Sequence, residues 1–457
     1  MGKPVSFLLL SLIFILSCSK QVLQSEKISA RDSEQLHIEA FLFQNKLDFE
    51  VIRCDTNHFK KAFKLFIEQP IDHAHPEKGS FKQKVYLSHR SKSANTVLYL
   101  NGYSASGNAY VTEATKLLDA NQLHVEHRYF NESIPKDMDP QSMFGEDNEW
   151  RTYLTIEQAA ADHHRIVQLM NKFYGEKWLS TGISKGGQAT IFHKRFYPAD
   201  IDASIPYVAP INLEREDPRI EAHLNSIGSS TCREKIFRFQ KSLLENRSEV
   251  LKLFEEESAK RNYTYLKSAN QSLELSVLEF EFAFWQWSGD CDAIPDESAP
   301  LKKRMNFLFQ IDAPGFFTTD IIPINAFFYQ GYNQIGMYGY DIDPFGHLIR
   351  TFEEDVDNQD VFLEGIEMPD YDSDAVPEVV EWLNDNGNDL IYIVGELDPW
   401  GSTAIIPTEK TNSLNFTLKN GNHSTRIVNL SLEERNQICD SLEVWLDLKR
   451  NLDANDF

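Results

Sequence analysis

The chain has 457 residues, 42% of them hydrophobic and 25% charged, with a formal net charge of -24. That length exceeds one minimal domain and predicts a core with a large insertion. The acidic balance excludes a basic nucleic-acid footprint and mildly favours cationic ligands, such as the free amino end of a peptide.

The chain opens with Lys3 and an apolar run over residues 5–16, closed by Ser17-Cys18. The run is short for a bilayer span and predicts a signal peptide over residues 1–17. Ile15-Leu16-Ser17-Cys18 resembles a bacterial lipobox, which makes Cys18 the lipidation site and the membrane a partner through that N-terminal anchor only. Plain secretion with cleavage nearby is the other reading, and both predict export. Residues 18–37 are polar and read as a tether.

Residues 61–69 and 80–88 read as extended segments around a turn-rich stretch, an antiparallel hairpin. His73 and His75 stand in that turn without matching partners, so no metal signature is present. Next come strands at 96–100 and 123–126, a helix at 155–174, a strand at 177–180, a helix at 186–196 and a strand at 203–208. This alternation predicts a mostly parallel sheet covered by helices, with residues 38–212 as the first part of an α/β core.

Residues 213–384 break the rhythm and are rich in helix formers and aromatic residues. They are expected to form a helical cap inserted into the core. The runs at 279–287 and 326–340 are densely aromatic; their clusters at 282–287 and 327–340 either line a substrate pocket or fill the core of the cap. The rhythm returns with strands at 389–394 and 415–418 and a helix at 432–448, so residues 385–457 complete the core. Besides Cys18, the chain has Cys54, Cys232, Cys291 and Cys439, which allow three pairings. Cys232 with Cys291 is the expected bridge, since both fall inside the insertion; buried free thiols are the alternative.

Gly182-Ile183-Ser184-Lys185-Gly186 matches G-x-S-x-G between a predicted strand and a predicted helix, the context of a nucleophile elbow in an α/β-hydrolase. In that fold the partners follow as acid and then histidine. Asp398 and His423 each lie just past a predicted strand, in that order. Alone, Asp398 is a turn-forming Asp-Pro and His423 a loop histidine; jointly the three strand ends predict a catalytic triad. The oxyanion donors are expected at the backbone N–H groups of Lys185 and of Tyr103, the latter in the loop after strand 96–100. Glu126 ends another strand; it either pairs with Lys185 or Arg128 or holds a substrate ammonium. The remaining substrate-binding candidates are Trp285, Tyr329, Gln334 and Trp400.

Residues 181–188 (Thr-Gly-Ile-Ser-Lys-Gly-Gly-Gln), 193–198 (His-Lys-Arg-Phe-Tyr-Pro) and 207–210 (Tyr-Val-Ala-Pro) resemble the secreted bacterial tripeptidyl aminopeptidases. That family is related to the prolyl carboxypeptidase and dipeptidyl peptidase family of serine peptidases. The wider likeness shows at residues 69–73, 126–129, Tyr329-Gln330 and 397–400, and extends over about residues 60–445. The resemblance implies release of short peptides, tripeptides above all, from free N-termini, with peptide as substrate and no cofactor. It places Ser184, Asp398 and His423 at the triad motifs, and Lys185 favours the tripeptidyl group over the prolyl carboxypeptidase group, which usually has tyrosine there. Gln334 departs from the related motif, which has an acidic residue at this place. The residues by themselves establish only serine hydrolysis of an acyl compound. The competing readings are a proline-specific peptidase or carboxylic ester hydrolase on the same fold, and a non-catalytic surface binding lipoprotein.

Overall fold

The computed structural model describes residues 37–135 and 149–457. The expected signal peptide, Cys18 and the tether up to residue 36 lie outside the described residues.

Nine strands form one sheet: β1 (Asp48–Ile52), β2 (Lys61–Pro70), β3 (Ser80–His89), β4 (Thr96–Leu100), β5 (Asn121–Val125), β6 (Trp178–Ile183), β7 (Ala203–Tyr207), β8 (Ile391–Gly395) and β9 (Leu414–Leu418). Their order is β1-β2-β3-β5-β4-β6-β7-β8-β9. The expected hairpin is β2–β3, with Lys61 opposite His89 and Pro70 opposite Ser80. Strand β3 runs antiparallel to β5, and every later pairing is parallel. Strands β5, β7 and β8 are buried at every position, as parallel strands covered on both faces must be. Strand β1 was not legible in the sequence: Asp48-Phe49-Glu50-Val51-Ile52 lies at the sheet edge with no buried residue, so it carries no strong alternation.

Helices cover both faces. A helix over residues 37–44 (α1), α3 (Ile156–Met170) and α4 (Lys185–Phe196) lie on one side. There Ile38, Leu42, Ile166, Met170 and Ala189 meet Leu87, Leu98 and Leu123 of the sheet. The short helix α2 (Glu113–Leu118) lies on the other side. Thr155 caps α3 by accepting the Gln158 N–H, and the chain leaves the helix at Met170, whose carbonyl accepts the N–H groups of both Phe173 and Tyr174. The two layers around a mostly parallel sheet are an α/β-hydrolase fold.

Between β7 and β8 stand α5 (Pro218–Leu224), α6 (Ser230–Glu245), α7 (Arg247–Arg261), α8 (Ala269–Trp287), α9 (Leu301–Gln310), α10 (Asn325–Gln330), α11 (Asn358–Phe362) and α12 (Ala375–Asn386). Most of them share a second apolar core, in which Phe239, Phe280, Phe284, Phe307 and Leu308 meet. That core continues onto Phe130, Leu397 and Trp400 of the α/β layers. Helix α12 behaves differently. Its Val376, Val379 and Leu383 pack with Ile191 and Phe192 of α4 and Tyr392 of β8, so the layer over the sheet resumes nine residues before the expected end of the insertion at 384. Helix α13 (Leu432–Trp445) closes the chain on the α2 side, where Ile438 and Leu442 join Leu117, Ile205 and Ile393.

Cys232 at the start of α6 is bonded to Cys291 just past α8, while Cys439 is a buried free thiol. The bridge closes a loop across 59 positions. Cys232→Ser should therefore cost about 2–4 kcal/mol, read as a lower denaturant midpoint for the oxidised protein. An unchanged midpoint would show that the bridge carries no stability.

Candidate active site

The site begins where β6 ends. Ser184 takes φ 57 and ψ -123, a strained conformation for a residue with a side chain. Its N–H donates to Tyr207 O at 2.9 Å, and its carbonyl accepts the Gln188 N–H at 3.0 Å. The turn is tight enough to forbid side chains beside it. A Cβ on Gly182 would lie 2.1 Å from Gly186 O, and one on Gly186 would lie 2.4 Å from Leu100 O of β4. These contacts leave Ser184 at the mouth of α4 and its hydroxyl clear of the sheet.

Asp398 follows β8 and is fully buried. Its Oδ1 accepts the Trp400 N–H at 3.2 Å, and its Oδ2 bonds His423 Nδ1 at 2.7 Å. His423 follows β9. Its backbone N–H donates to Gln286 O at 3.0 Å, and its ring meets Trp287 edge-on at 5.3 Å. With Nδ1 held as the donor to a carboxylate, Nε2 keeps its lone pair and can act as a base.

The loop after β4 lies directly on the elbow: a Cβ on Gly102 would come 2.5 Å from Lys185 Cβ. Lys185 is the first residue of α4, so its N–H has no acceptor within the helix. The expected second donor is corrected. The Tyr103 N–H is spent on Asn101 Oδ1 at 3.1 Å. The Tyr103 phenol lines the same cavity as Ser184, and burial pushes its hydroxyl further from ionisation. The ring is fixed by edge contacts with Phe130 at 5.8 Å and Phe327 at 5.4 Å.

Glu126 is corrected too. It is buried and pairs with Lys84 at 2.8 Å, not with Lys185 or Arg128. Its remaining capacity goes to the Ala105 N–H and the Ser133 hydroxyl, both at 2.8 Å, so it braces the loop after β4 and is unavailable to a substrate amine. Arg128 instead forks onto Asp162, with both bonds at 2.7 Å. Lys185 is left buried, with no carboxylate partner among the described residues and its Nζ 5.5 Å from the Phe130 ring. Burial pushes it down to about 7.

A cavity of about 280 Å³ opens beside Ser184, lined among others by Tyr103, Lys185, Glu279, Trp287, Phe327, Tyr338 and Trp400. Of the substrate candidates only Trp400 reaches it. Trp285 is buried in the core of the insertion, pressed on Gly228, where a Cβ would lie 2.4 Å from its ring. Tyr329 is buried outside the cavity lining. Gln334 accepts the Ile156 N–H at 3.0 Å and donates to Asp372 at 3.2 Å, holding the start of α3. Glu279 was missed, although a carboxylate at the head of the aromatic run 279–287 was a visible signal, while Trp287 belongs to the cluster expected either to line a pocket or to fill the core. A larger cavity of about 790 Å³ in the insertion does not include Ser184 and shares Tyr338 with the first. Among the described residues no cluster of His, Cys, Asp and Glu is placed to hold a metal ion. A hydroxyl at a helix N-terminus with oriented donors beside it, and an imidazole braced by a carboxylate, are the parts of general-base acyl transfer.

The family model for PS-10 peptidase S37 matches residues 50–449. The chain is 28% identical over 387 residues to the prolyl tri/tetrapeptidyl aminopeptidase of Streptomyces mobaraensis, covering 82% of this chain and 78% of that protein. It is 25% identical over 165 residues to the lysosomal Pro-X carboxypeptidase of Mus musculus, covering 33% of each. Among solved structures it is similar to the proline iminopeptidase of Mycobacterium smegmatis, with TM-score 0.35 and 12% identity, over 84% of this chain and 97% of that one.

The buried Lys185 makes stability depend on pH. Its folded value of about 7 lies below the 10.5 of a free lysine. Between those values the unfolded chain holds a proton that the folded chain lacks, so stability rises with pH across the window. Relative to Lys185→Met, the wild type should gain on the order of 4 kcal/mol from pH 7 toward pH 10, measured by urea unfolding. A flat difference would mean that the lysine stays charged when folded.

Proposed function

We propose, from the premise that this chain belongs to the PS-10 peptidase S37 family, that its serine-peptidase chemistry runs through Ser184, His423 and Asp398 and releases short peptides, tripeptides above all, from free N-termini. The observation that carries the reading is the 2.7 Å bond from His423 Nδ1 to buried Asp398, on a histidine held by the same Gln286–Trp287 segment that lines the Ser184 cavity.

Ser184 Oγ attacks the scissile carbonyl carbon while His423 Nε2 takes the hydroxyl proton. Asp398 stays ionised and stabilises the imidazolium. The oxyanion is received by the Lys185 N–H and the Tyr103 hydroxyl, which burial keeps protonated as a donor. His423 then gives its proton to the leaving amine, and the C–N bond breaks. Water repeats the cycle on the acyl-enzyme and frees the peptide.

The insertion supports the preference for short substrates. The end of α8 and residues 311–337 wall the cavity, and about 280 Å³ is at the small end for ligand sites. Tyr103, Phe327 and Trp400 present flat apolar walls beside Ser184, which suit a proline ring at the cleaved residue. Export through the leader and lipid attachment at Cys18 complete the proposal; membrane association that persists in Cys18→Ser would rule the anchor out.

The test is hydrolysis of unblocked Ala-Ala-Pro and Ala-Ala-Ala p-nitroanilides beside long-chain nitrophenyl esters. The amides should be cleaved, the prolyl one faster, and Ser184→Ala should lower turnover by as much as ~10⁶. Cleavage of esters alone would favour the esterase reading, and activity surviving in Ser184→Ala would end the triad assignment. Tyr103→Phe should lower kcat by ~10²–10³ with KM little changed; a wild-type kcat would remove the hydroxyl from the oxyanion site.

A further inference from the structure

A peptidase that acts at free N-termini must recognise a free amine, and the acids anticipated for that task are absent from the cavity. Glu126 is committed to Lys84, and residue 334 is a glutamine turned toward α3. We propose that Glu279 of α8 binds the α-ammonium of the peptide substrate, with its distance from the nucleophile setting release at three residues. The inference rests on the exopeptidase reading above and names the group that enforces it.

Glu279 is buried, yet its side chain lines the cavity that contains Ser184. Two hydroxyls hold it: Tyr338 at 2.9 Å and Tyr340 at 2.6 Å, both donating to Oε2. Among the described residues Oε1 accepts no hydrogen bond, and no cation pairs with the carboxylate. One oxygen is thus pinned and the other left for a ligand. Burial raises the acid to about 8 despite the two hydroxyls, close to an α-amino group at roughly 7.7–8.0. A neutral amine takes the Glu279 proton on arrival, and an ammonium displaces it to water; either way an ion pair remains.

The spacing comes from the helix. Glu279, Ala283, Gln286 and Trp287 all line the cavity, as positions i, i+4, i+7 and i+8 on one face of α8 do. Trp287 is the residue against the His423 ring. Eight residues at 1.5 Å each separate Glu279 from Trp287 by about 12 Å. An extended chain covers about 3.3–3.6 Å per residue, so three residues span roughly 10–11 Å and two only about 7 Å. A peptide with its third carbonyl near Ser184 reaches Glu279 with its amine, and a dipeptide falls short. Asp312, the other carboxylate in the lining, is exposed and bonded to the Tyr263 hydroxyl.

The experiment compares kcat/KM for Ala-Ala-Pro p-nitroanilide and its N-acetylated twin, together with unblocked dipeptide and tetrapeptide amides. Wild type, Glu279→Gln and Asp312→Asn are used, with rates counted per fluorophosphonate-labelled site so that misfolded protein does not enter. The wild type should prefer the free amine. Glu279→Gln should lose about 10- to 100-fold on it, mainly through KM, leave the acetylated twin nearly unchanged and flatten the preference for three residues. Discrimination retained in Glu279→Gln, or lost instead in Asp312→Asn, overturns the assignment. A wild type that cuts both twins equally would sink the reading of release from free N-termini itself.

Discussion

The site depends on one steric constraint: three stretches of backbone meet where no side chain fits. Gly182, Gly186 and Gly102 bring the end of β6, the start of α4 and the loop after β4 within contact distance of each other and of Leu100 O. That closeness forces Ser184 into its strained conformation, puts the first helical N–H at its side and brings Tyr103 over it. Strain of this kind costs about 1–3 kcal/mol and persists only where surrounding structure over-determines it. Here the hydrogen bonds from the Ser184 N–H to Tyr207 O and from the Gln188 N–H to Ser184 O clamp both sides of the turn.

The same packing fixes the electrostatics. As the first residue of α4, Lys185 is buried with its Nζ over the Phe130 ring and pairs with no carboxylate among the described residues. Its charge is therefore disfavoured by burial. Across the cavity Glu279 is shifted in the opposite sense by the same cause. One poorly solvated space thus lowers a lysine and raises a glutamate, and each unit charge brought into it interacts more strongly than in water. The aromatic insertion walls that space: its phenylalanines pack around α8, whose stripe from Glu279 to Trp287 lines the cavity together with residues 311–338.

Much of the fold was legible because parallel strands and their helices announce themselves locally. Strand β4 was read at residues 96–100, and the disulfide from Cys232 to Cys291 was read from their common segment. The readings that missed concern which polar partner packing assigns to each group, whether distant or near in sequence. Glu126 was expected beside Lys185 or Arg128, its neighbours in the motif, but the sheet register brings Lys84 of β3 to it. Tyr103 was expected to offer its N–H, but Asn101 two residues earlier takes that donor. Trp285 and Trp287 stand two positions apart in one aromatic run, and helical rotation sends the first into a core and the second to His423.

By itself the sequence determined most of the strand and helix order from the β2–β3 hairpin onward, the glycines that the elbow requires and the succession of Ser184, Asp398 and His423 after their strands. Those are local facts, fixed by backbone sterics and by the period of apolar residues. Only the tertiary structure decided which donor of Tyr103 and which acid faces the cavity, and that among the described residues Glu279, pinned through one oxygen, keeps the other open where Glu126 is committed to Lys84. Such choices rest on which polar groups find partners first, and partners are assigned by packing across the chain.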